Sequence, residues 1–143
     1  MNKIFNLLVS DHIFALFAFG FIFIFFSIFL YLIFYIYLNV NLRGICKIIF
    51  NNEKKYSSPL DPFNFIALSF LPTAFWREVL NIKYNKFFKS LYSKEFYYRL
   101  DKGKLVELLG GYRFYFVFQY VVFVSSGLGL LFLVAGYIAY QSL

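Results

Sequence analysis

The chain has 143 residues, a formal net charge of +7 and 62% hydrophobic residues, while only 15% of its residues are charged. Soluble domains are about half apolar and a quarter charged, so this composition is typical of a membrane protein. Aromatic residues make up 26% of the chain, which excludes intrinsic disorder. The single cysteine, Cys46, excludes a disulfide-stapled secreted domain, and the length does not favour a multidomain enzyme.

The residue bias indicates an AT-rich genome, such as a mitochondrial genome or that of a reduced bacterium. Phe, Tyr, Met, Ile, Asn and Lys supply 69 of the 143 residues, whereas Gly, Ala, Arg and Pro supply 21. AT-rich codons encode the first group and GC-rich codons the second. Part of the Phe excess then reflects mutational pressure at positions where any apolar residue serves against lipid.

Two long apolar runs predict two transmembrane helices. Residues 13–38 contain no charged residue in 26 positions, and residues 114–140 contain none in 27. A 26-residue helix is about 39 Å long, which exceeds the roughly 30 Å hydrocarbon core of a bilayer, so we expect it to tilt. The first run is too long for a signal peptide and no small-residue cleavage site follows it, so we expect it to be retained.

The charge distribution predicts the orientation of these helices. Residues 43–113 contain 13 of the 14 Lys and Arg residues and 6 of the 7 acidic residues, so this segment carries the whole net charge of +7. The positive-inside rule places the basic loop, residues 39–113, on the cytoplasmic or matrix side of an inner membrane. The N-terminal residues 1–12 and the C-terminal residues 141–143 are then expected on the outer side.

The loop pattern predicts three short helices at the inner membrane surface. Asp61 precedes Pro62 as an N-cap, which predicts a helix over about 62–71 that Pro72 ends. Thr73 can cap a second helix over about 73–81. Residues 83–100 place aromatic side chains on one helical face and lysines beside it, which predicts a basic amphipathic helix. The residues expected at the membrane surface are Trp76, Arg77, Lys83, Lys86, Lys89 and Lys94.

A basic amphipathic helix has three possible partners. It can lie on an anionic membrane, pack against a partner subunit, or grip a single nucleic-acid strand through interleaved lysines and aromatics. The nucleic-acid interpretation is the weakest, because the loop lies between two spans and its aromatics are needed at the lipid boundary. We therefore expect anionic lipids and other membrane subunits as partners, and no nucleic acid.

The sequence offers no catalytic, cofactor-binding or metal-binding site. His12 is the only histidine, and on a helix it diverges by about 100° from its neighbour Asp11, so Ser10 or Asp11 is interpreted as a helix cap. A zinc site needs several His, Cys or carboxylate ligands at workable spacing, and the glycine motifs of nucleotide-binding loops are absent. Cys46 is interpreted as a buried or interfacial thiol, with acylation as the alternative.

Small residues at helical spacing predict where the spans pack. Ser125 and Gly129 form a small-xxx-small pair, and such pairs let helix backbones approach in lipid, where packing is the main force available. The glutamine of the second span is expected to add an interhelical hydrogen bond. The residues expected at helix contacts are Gly20, Ser27, Gln119, Ser125, Gly129 and Gly136.

These observations predict an all-α membrane protein, a two-span helical hairpin with short amphipathic interfacial helices in the connecting loop. The expected function is that of a non-catalytic accessory subunit of a multisubunit inner-membrane complex. The AT-rich bias favours an energy-transducing complex, either of the respiratory chain or ATP synthase. Two alternatives stay open: a small stand-alone regulatory or stress-related membrane protein, and an oligomeric component of a transport or secretion machine.

Overall fold

The structure is a computed structural model that describes residues 11–88 and 100–142. Within these ranges the chain forms five helices and no strand, which confirms the prediction of an all-α chain for the described residues. Two of the helices are long and apolar enough to cross a membrane, judged by length and composition alone. The helices are α1 (His12–Phe50), α2 (Pro62–Ala74), α3 (Trp76–Tyr84), α4 (Lys102–Gly111) and α5 (Arg113–Gln141).

Helix α1 begins at a side-chain cap. The carboxylate of Asp11 accepts hydrogen bonds from the backbone N–H groups of Ile13 at 3.0 Å and Phe14 at 3.1 Å. These are two of the backbone donors that every helix N-terminus leaves without an intrahelical partner. Asp11 is therefore the cap residue of this helix.

Helix α1 extends well beyond the predicted span of residues 13–38 and ends at Phe50. The prediction ended the helix where the apolar run meets Asn39, but the amide nitrogens of Asn39 and Asn41 each donate to the carbonyl four residues earlier, at 2.9 Å. Their amide nitrogens are thus bonded to the helix itself. The helix stops before Asn51, whose φ of 55° is left-handed. Residues 39–50 are therefore helical.

Helix α2 begins at the predicted cap and continues past the predicted stop. The Asp61 carboxylate accepts from the backbone N–H groups of Phe63 and Asn64, and these hydrogen bonds, the Asn64 backbone bond foremost, hold the pKa of Asp61 below its ordinary value. The sequence predicted that Pro72 would end the helix at residue 71, but Pro72 lies inside it.

A tyrosine of another helix explains why Pro72 is tolerated. Proline has no N–H group, so the carbonyl of Leu68, four residues earlier, lacks its helical donor. The hydroxyl of Tyr115 donates to this carbonyl, and the hydroxyl of Tyr120 donates to the carbonyl of Pro72 at 3.0 Å. The first turns of α5 therefore satisfy backbone groups that the proline and the helix end expose.

Helix α3 covers residues 76–84 rather than the predicted 73–81, and Asn85 ends it in the left-handed conformation with φ of 50°. The predicted helix over 83–100 is therefore wrong for residues 85–88, which are not helical. The side chain of Asn81 bonds both the N–H and the carbonyl of Phe88, at 2.9 and 3.0 Å, which holds this segment in a turned conformation. The rest of that predicted helix, residues 89–99, lies outside the described residues.

Helices α4 and α5 follow each other with one residue between them. The Asp101 carboxylate caps α4 by accepting from the N–H of Lys104 at 2.8 Å. The helix runs through Gly110 and Gly111 to Tyr112, whose φ of −130° and ψ of 51° break it. Helix α5 then covers residues 113–141, close to the predicted span of 114–140.

The chain divides into two compact units, Met1–Leu32 with Val121–Leu143, and Ile33–Tyr120. We call them the paired-helix unit and the five-segment unit, because the second combines parts of α1 and α5 with α2, α3 and α4. The buried core of the five-segment unit comes from all of these segments. It includes Phe34, Leu38, Ile45, Leu68, Leu71, Leu105, Leu108, Tyr115 and Phe116.

We expect Tyr115→Phe to destabilise the protein by about 1–3 kcal/mol, the cost of leaving a buried carbonyl without its donor. Tyr84→Phe removes the same atom from an exposed tyrosine and should change stability by less than about 0.5 kcal/mol. Denaturant unfolding of the purified protein in mild detergent measures both. Equal stability of the two variants would contradict the role assigned to the Tyr115 hydroxyl.

Candidate functional site

Two glycines lie at a close contact between the two segments of the paired-helix unit. A Cβ atom added at Gly20 would lie 2.7 Å from Leu133 and 3.2 Å from the carbonyl oxygen of Gly129. A Cβ added at Gly129 would lie 2.9 Å from Ile24 and 3.1 Å from the carbonyl oxygen of Gly20. The two carbonyl contacts are tighter than most Cβ contacts in proteins, so a side chain at either position would require the facing groups to shift.

A pair of serines lies on the same contact. The hydroxyls of Ser27 and Ser125 are 2.8 Å apart, and these residues are only 4% and 5% exposed. Each hydroxyl is also within hydrogen-bond distance of a carbonyl on its own helix, that of Phe23 for Ser27 and that of Val121 for Ser125. Each hydroxyl has one hydrogen, so one serine donates to the other while the second donates to its own helix.

The other two predicted contact residues have different surroundings. Gly136 faces Leu16 and Phe17, at 3.3 and 3.4 Å from an added Cβ. The contacts made by Gly20, Ser27 and Gly136 run in opposite order along the two segments, which therefore pack antiparallel in this unit. Gln119 belongs to the five-segment unit instead, and its amide nitrogen donates to the Thr73 hydroxyl at 3.2 Å.

The outer surface of the paired-helix unit is apolar. Phe25 is 68% exposed and Leu131 is 67% exposed, whereas the two serines are buried. A folded protein in water shows the reverse arrangement, with large apolar side chains inside and small polar ones free to lie outside. Other large apolar residues of this unit with exposed side chains are Phe19, Phe21, Ile22, Ile28, Phe29, Phe123, Val124, Leu130, Val134 and Ile138.

The four predicted surface residues that the structure describes lie on or near α3. Trp76 is 41% exposed, and the guanidinium of Arg77 lies 5.5 Å from the centre of its ring, in cation–π geometry. Lys83 and Lys86 are also exposed. Lys89 and Lys94 lie outside the described residues, so the structure does not place them.

Sequence reasoning missed a buried acid on the same helix. Glu78 is fully buried, one residue from the exposed Arg77. Buried carboxylates are rare unless other groups satisfy them. The available signal was the spacing of Phe75, Glu78 and Val79, which puts the acid on the buried face of α3.

Sequence reasoning also missed a charged pocket in the five-segment unit. An open cavity of about 660 Å³ lies between the C-terminal end of α1 and the segment after it. Arg43 and Lys54 line it together with Glu53, whose carboxylate forms an ion pair with Lys47 at 2.9 Å. The pKa of Glu53 is lowered, mainly by Lys47 and to a smaller extent by Arg43 and Lys54. The two cations Arg43 and Lys54 outnumber the single acid Glu53 in the pocket lining, so the lining carries a net positive charge.

The described residues contain no group of three or more His, Cys, Asp or Glu side chains that could hold a metal ion. Cys46 is buried in the five-segment unit. His12 lies in the first turn of α1, directly after the cap residue Asp11.

The chain matches no protein-family model, no curated protein and no solved structure.

We expect Gly129→Leu to destabilise the paired-helix unit by about 1–3 kcal/mol, the usual cost of overpacking a close contact. Gly127 supplies the matched control, because a Cβ added there meets nothing within 4 Å. Gly127→Leu, two residues away on the same helix, should leave the thermal unfolding midpoint nearly unchanged. Equal effects of the two substitutions would show that the glycine contact does not hold these segments together.

Proposed function

We propose that the chain is an integral membrane protein in which α1 and α5 cross the bilayer as an antiparallel hairpin. The observation that supports this most directly is the surface of the paired-helix unit, with Phe, Ile and Leu outside and the Ser27–Ser125 pair inside. Small residues at the helix contact and apolar residues on the outer surface suit a bilayer, where the surrounding lipid is as apolar as leucine. In water, so large an exposed apolar surface would drive aggregation.

The charge distribution supports one orientation of this hairpin. All of the +7 excess lies in residues 43–113, and basic segments between spans stay on the cytoplasmic or matrix side. The chain is then a multi-pass protein of a mitochondrial or bacterial inner membrane with both termini outside.

Within that membrane, the proposed role is structural. The chain would act as a non-catalytic accessory subunit that braces other subunits by helix packing and lipid contacts. Its interior contacts hold helices together: the glycine contact, the serine pair and the tyrosine hydrogen bonds to α2. The AT-rich residue bias supports an energy-transducing assembly, a respiratory complex or ATP synthase.

One observation favours a second candidate, an oligomeric component of a transport machine. Ionisable residues inside membrane spans often serve ion or proton pathways. Glu78 is the fully buried acid of the described residues and lies on α3, between the proposed spans. One such acid per copy does not form a pathway, so this role would require a ring of copies.

The topology is tested with single cysteines in a Cys46→Ser background, expressed in a bacterial inner membrane. We expect Ser57→Cys, in the loop, to react with a membrane-impermeant maleimide only in inside-out vesicles. Ser142→Cys, after α5, should react only in right-side-out vesicles, and the protein should resist alkaline carbonate extraction. Labelling of both positions from the same side, or release by carbonate, would contradict the two-span proposal.

The assembly role is tested by native purification from the source membrane in mild detergent. We expect the chain to migrate with respiratory or ATP synthase activity, in a complex far larger than 17.0 kDa. Migration as a free monomer or dimer would overturn the subunit proposal. A closed ring containing only this chain would favour the transport machine instead.

A further inference from the structure

The charged pocket of the five-segment unit is held in place by bonds between α1 and the segment after it. Asn39 accepts from the backbone N–H of Leu60 at 2.7 Å and lies 3.4 Å from the Ser58 hydroxyl, which donates to it. The hydroxyl of Tyr35 donates to the Leu60 carbonyl at 2.9 Å. Residues on both sides of the pocket are thus fixed before any ligand arrives, which lowers the entropic cost of binding.

Two cations in this pocket are available to a ligand. The side chains of Arg43 and Lys54 are exposed, and neither forms a hydrogen bond or an ion pair with another described residue. Glu53 is the acid in the pocket lining, and Lys47 already pairs with it at 2.9 Å. The Ser57 hydroxyl adds a neutral donor to the lining. This set fits a phosphate group with a single negative charge, because arginine and lysine donate strongly to phosphate oxygens.

An apolar surface leads into the pocket along α1. Ile36 is 62% exposed, and Val40, which also lines the pocket, is 78% exposed. Positions 36, 40 and 43 lie on one helical stripe, and Ile36 lies about 10 Å along the helix axis from Arg43. One face of α1 therefore changes from apolar to cationic at the pocket, as a phospholipid changes from acyl chain to headgroup.

We propose that this pocket binds one anionic phospholipid, with its phosphate at Arg43 and Lys54 and an acyl chain against Ile36 and Val40. The inference rests on the proposed membrane location, because it places the pocket at the headgroup level of the inner leaflet. A free phosphate ion would share the cationic contacts but would not use the apolar stripe. Basic pockets on the inner side of membrane helices recognise lipid headgroups in this way.

The test is native mass spectrometry of the full chain in detergent, titrated with phosphatidylglycerol or with phosphatidylcholine. We expect wild type to retain one phosphatidylglycerol in preference to phosphatidylcholine. R43Q/K54Q should weaken phosphatidylglycerol binding about thirtyfold, since each cation contributes about 1 kcal/mol at an anionic lipid surface. R113Q/K102Q removes one arginine and one lysine at exposed positions outside the pocket and should keep wild-type affinity within about twofold.

A substitution in the apolar stripe distinguishes binding of the lipid from binding of free phosphate. Glycerol 3-phosphate carries the phosphate without an acyl chain, so we expect it to compete only weakly with the lipid for the pocket. Val40→Ser should weaken phosphatidylglycerol binding several-fold but leave this competition unchanged. Equal binding by wild type and R43Q/K54Q, equal losses in both double variants, or complete displacement of the lipid by millimolar inorganic phosphate would each overturn the proposal.

The outcome can be separated from that of the membrane proposal. Lipid retention in detergent is measured whether or not the chain spans a bilayer, whereas carbonate extraction measures integration alone. If R43Q/K54Q stays integrated and still binds lipid like wild type, the pocket assignment fails by itself. If wild type is released by carbonate but binds phosphatidylglycerol through Arg43 and Lys54, the membrane proposal fails and the pocket assignment stands.

Discussion

The contact of Gly20 with Gly129 is the constraint on which the paired-helix unit depends. Each glycine lies so close to the facing backbone that an added Cβ would be 3.1–3.2 Å from a carbonyl oxygen. This close approach brings the Ser27 and Ser125 hydroxyls to 2.8 Å. Small residues thus occupy the places of closest approach, while large apolar side chains such as Phe25 and Leu131 are exposed on the outside. The membrane proposal rests on this apolar surface.

A second constraint, the pairing of backbone polar groups, governs the five-segment unit. A helix interrupted by Pro72 leaves the Leu68 carbonyl without its helical donor, and the Tyr115 hydroxyl replaces that donor. Asn39 likewise bonds the helix that carries it and also the backbone of Leu60. Where water is excluded, an unpaired peptide group costs several kcal/mol, so side chains that complete the backbone pairing decide which irregular conformations persist. The bond from Asn39 to Leu60 also joins α1 to the segment that lines the pocket with Arg43 and Lys54.

The sequence predicted what depends on local pattern and missed what depends on distant partners. Composition and hydropathy indicated an all-α chain, and local cap chemistry placed the start of α2 at Asp61, as observed. The stop at Pro72 was wrong because the residue that rescues the helix, Tyr115, lies 43 positions away in the chain. The continuation of α1 past Asn39 was missed because an asparagine that bonds its own helix looks like a boundary in a hydropathy pattern. The burial of Glu78 and the pairing of Arg43 with Lys54 around one cavity needed the tertiary arrangement.

Photolabelling with a carbene reagent confined to the bilayer core tests most directly whether the outer surface of the paired-helix unit faces lipid. Phe25 and Leu131 are 68% and 67% exposed, while Ser27 and Ser125 are 4% and 5% exposed. In reconstituted vesicles we expect strong labelling of Phe25 and Leu131 and protection of Ser27 and Ser125. Labelling of Phe25 and Leu131 no stronger than that of the polar segment at residues 51–59 would contradict a lipid-facing surface.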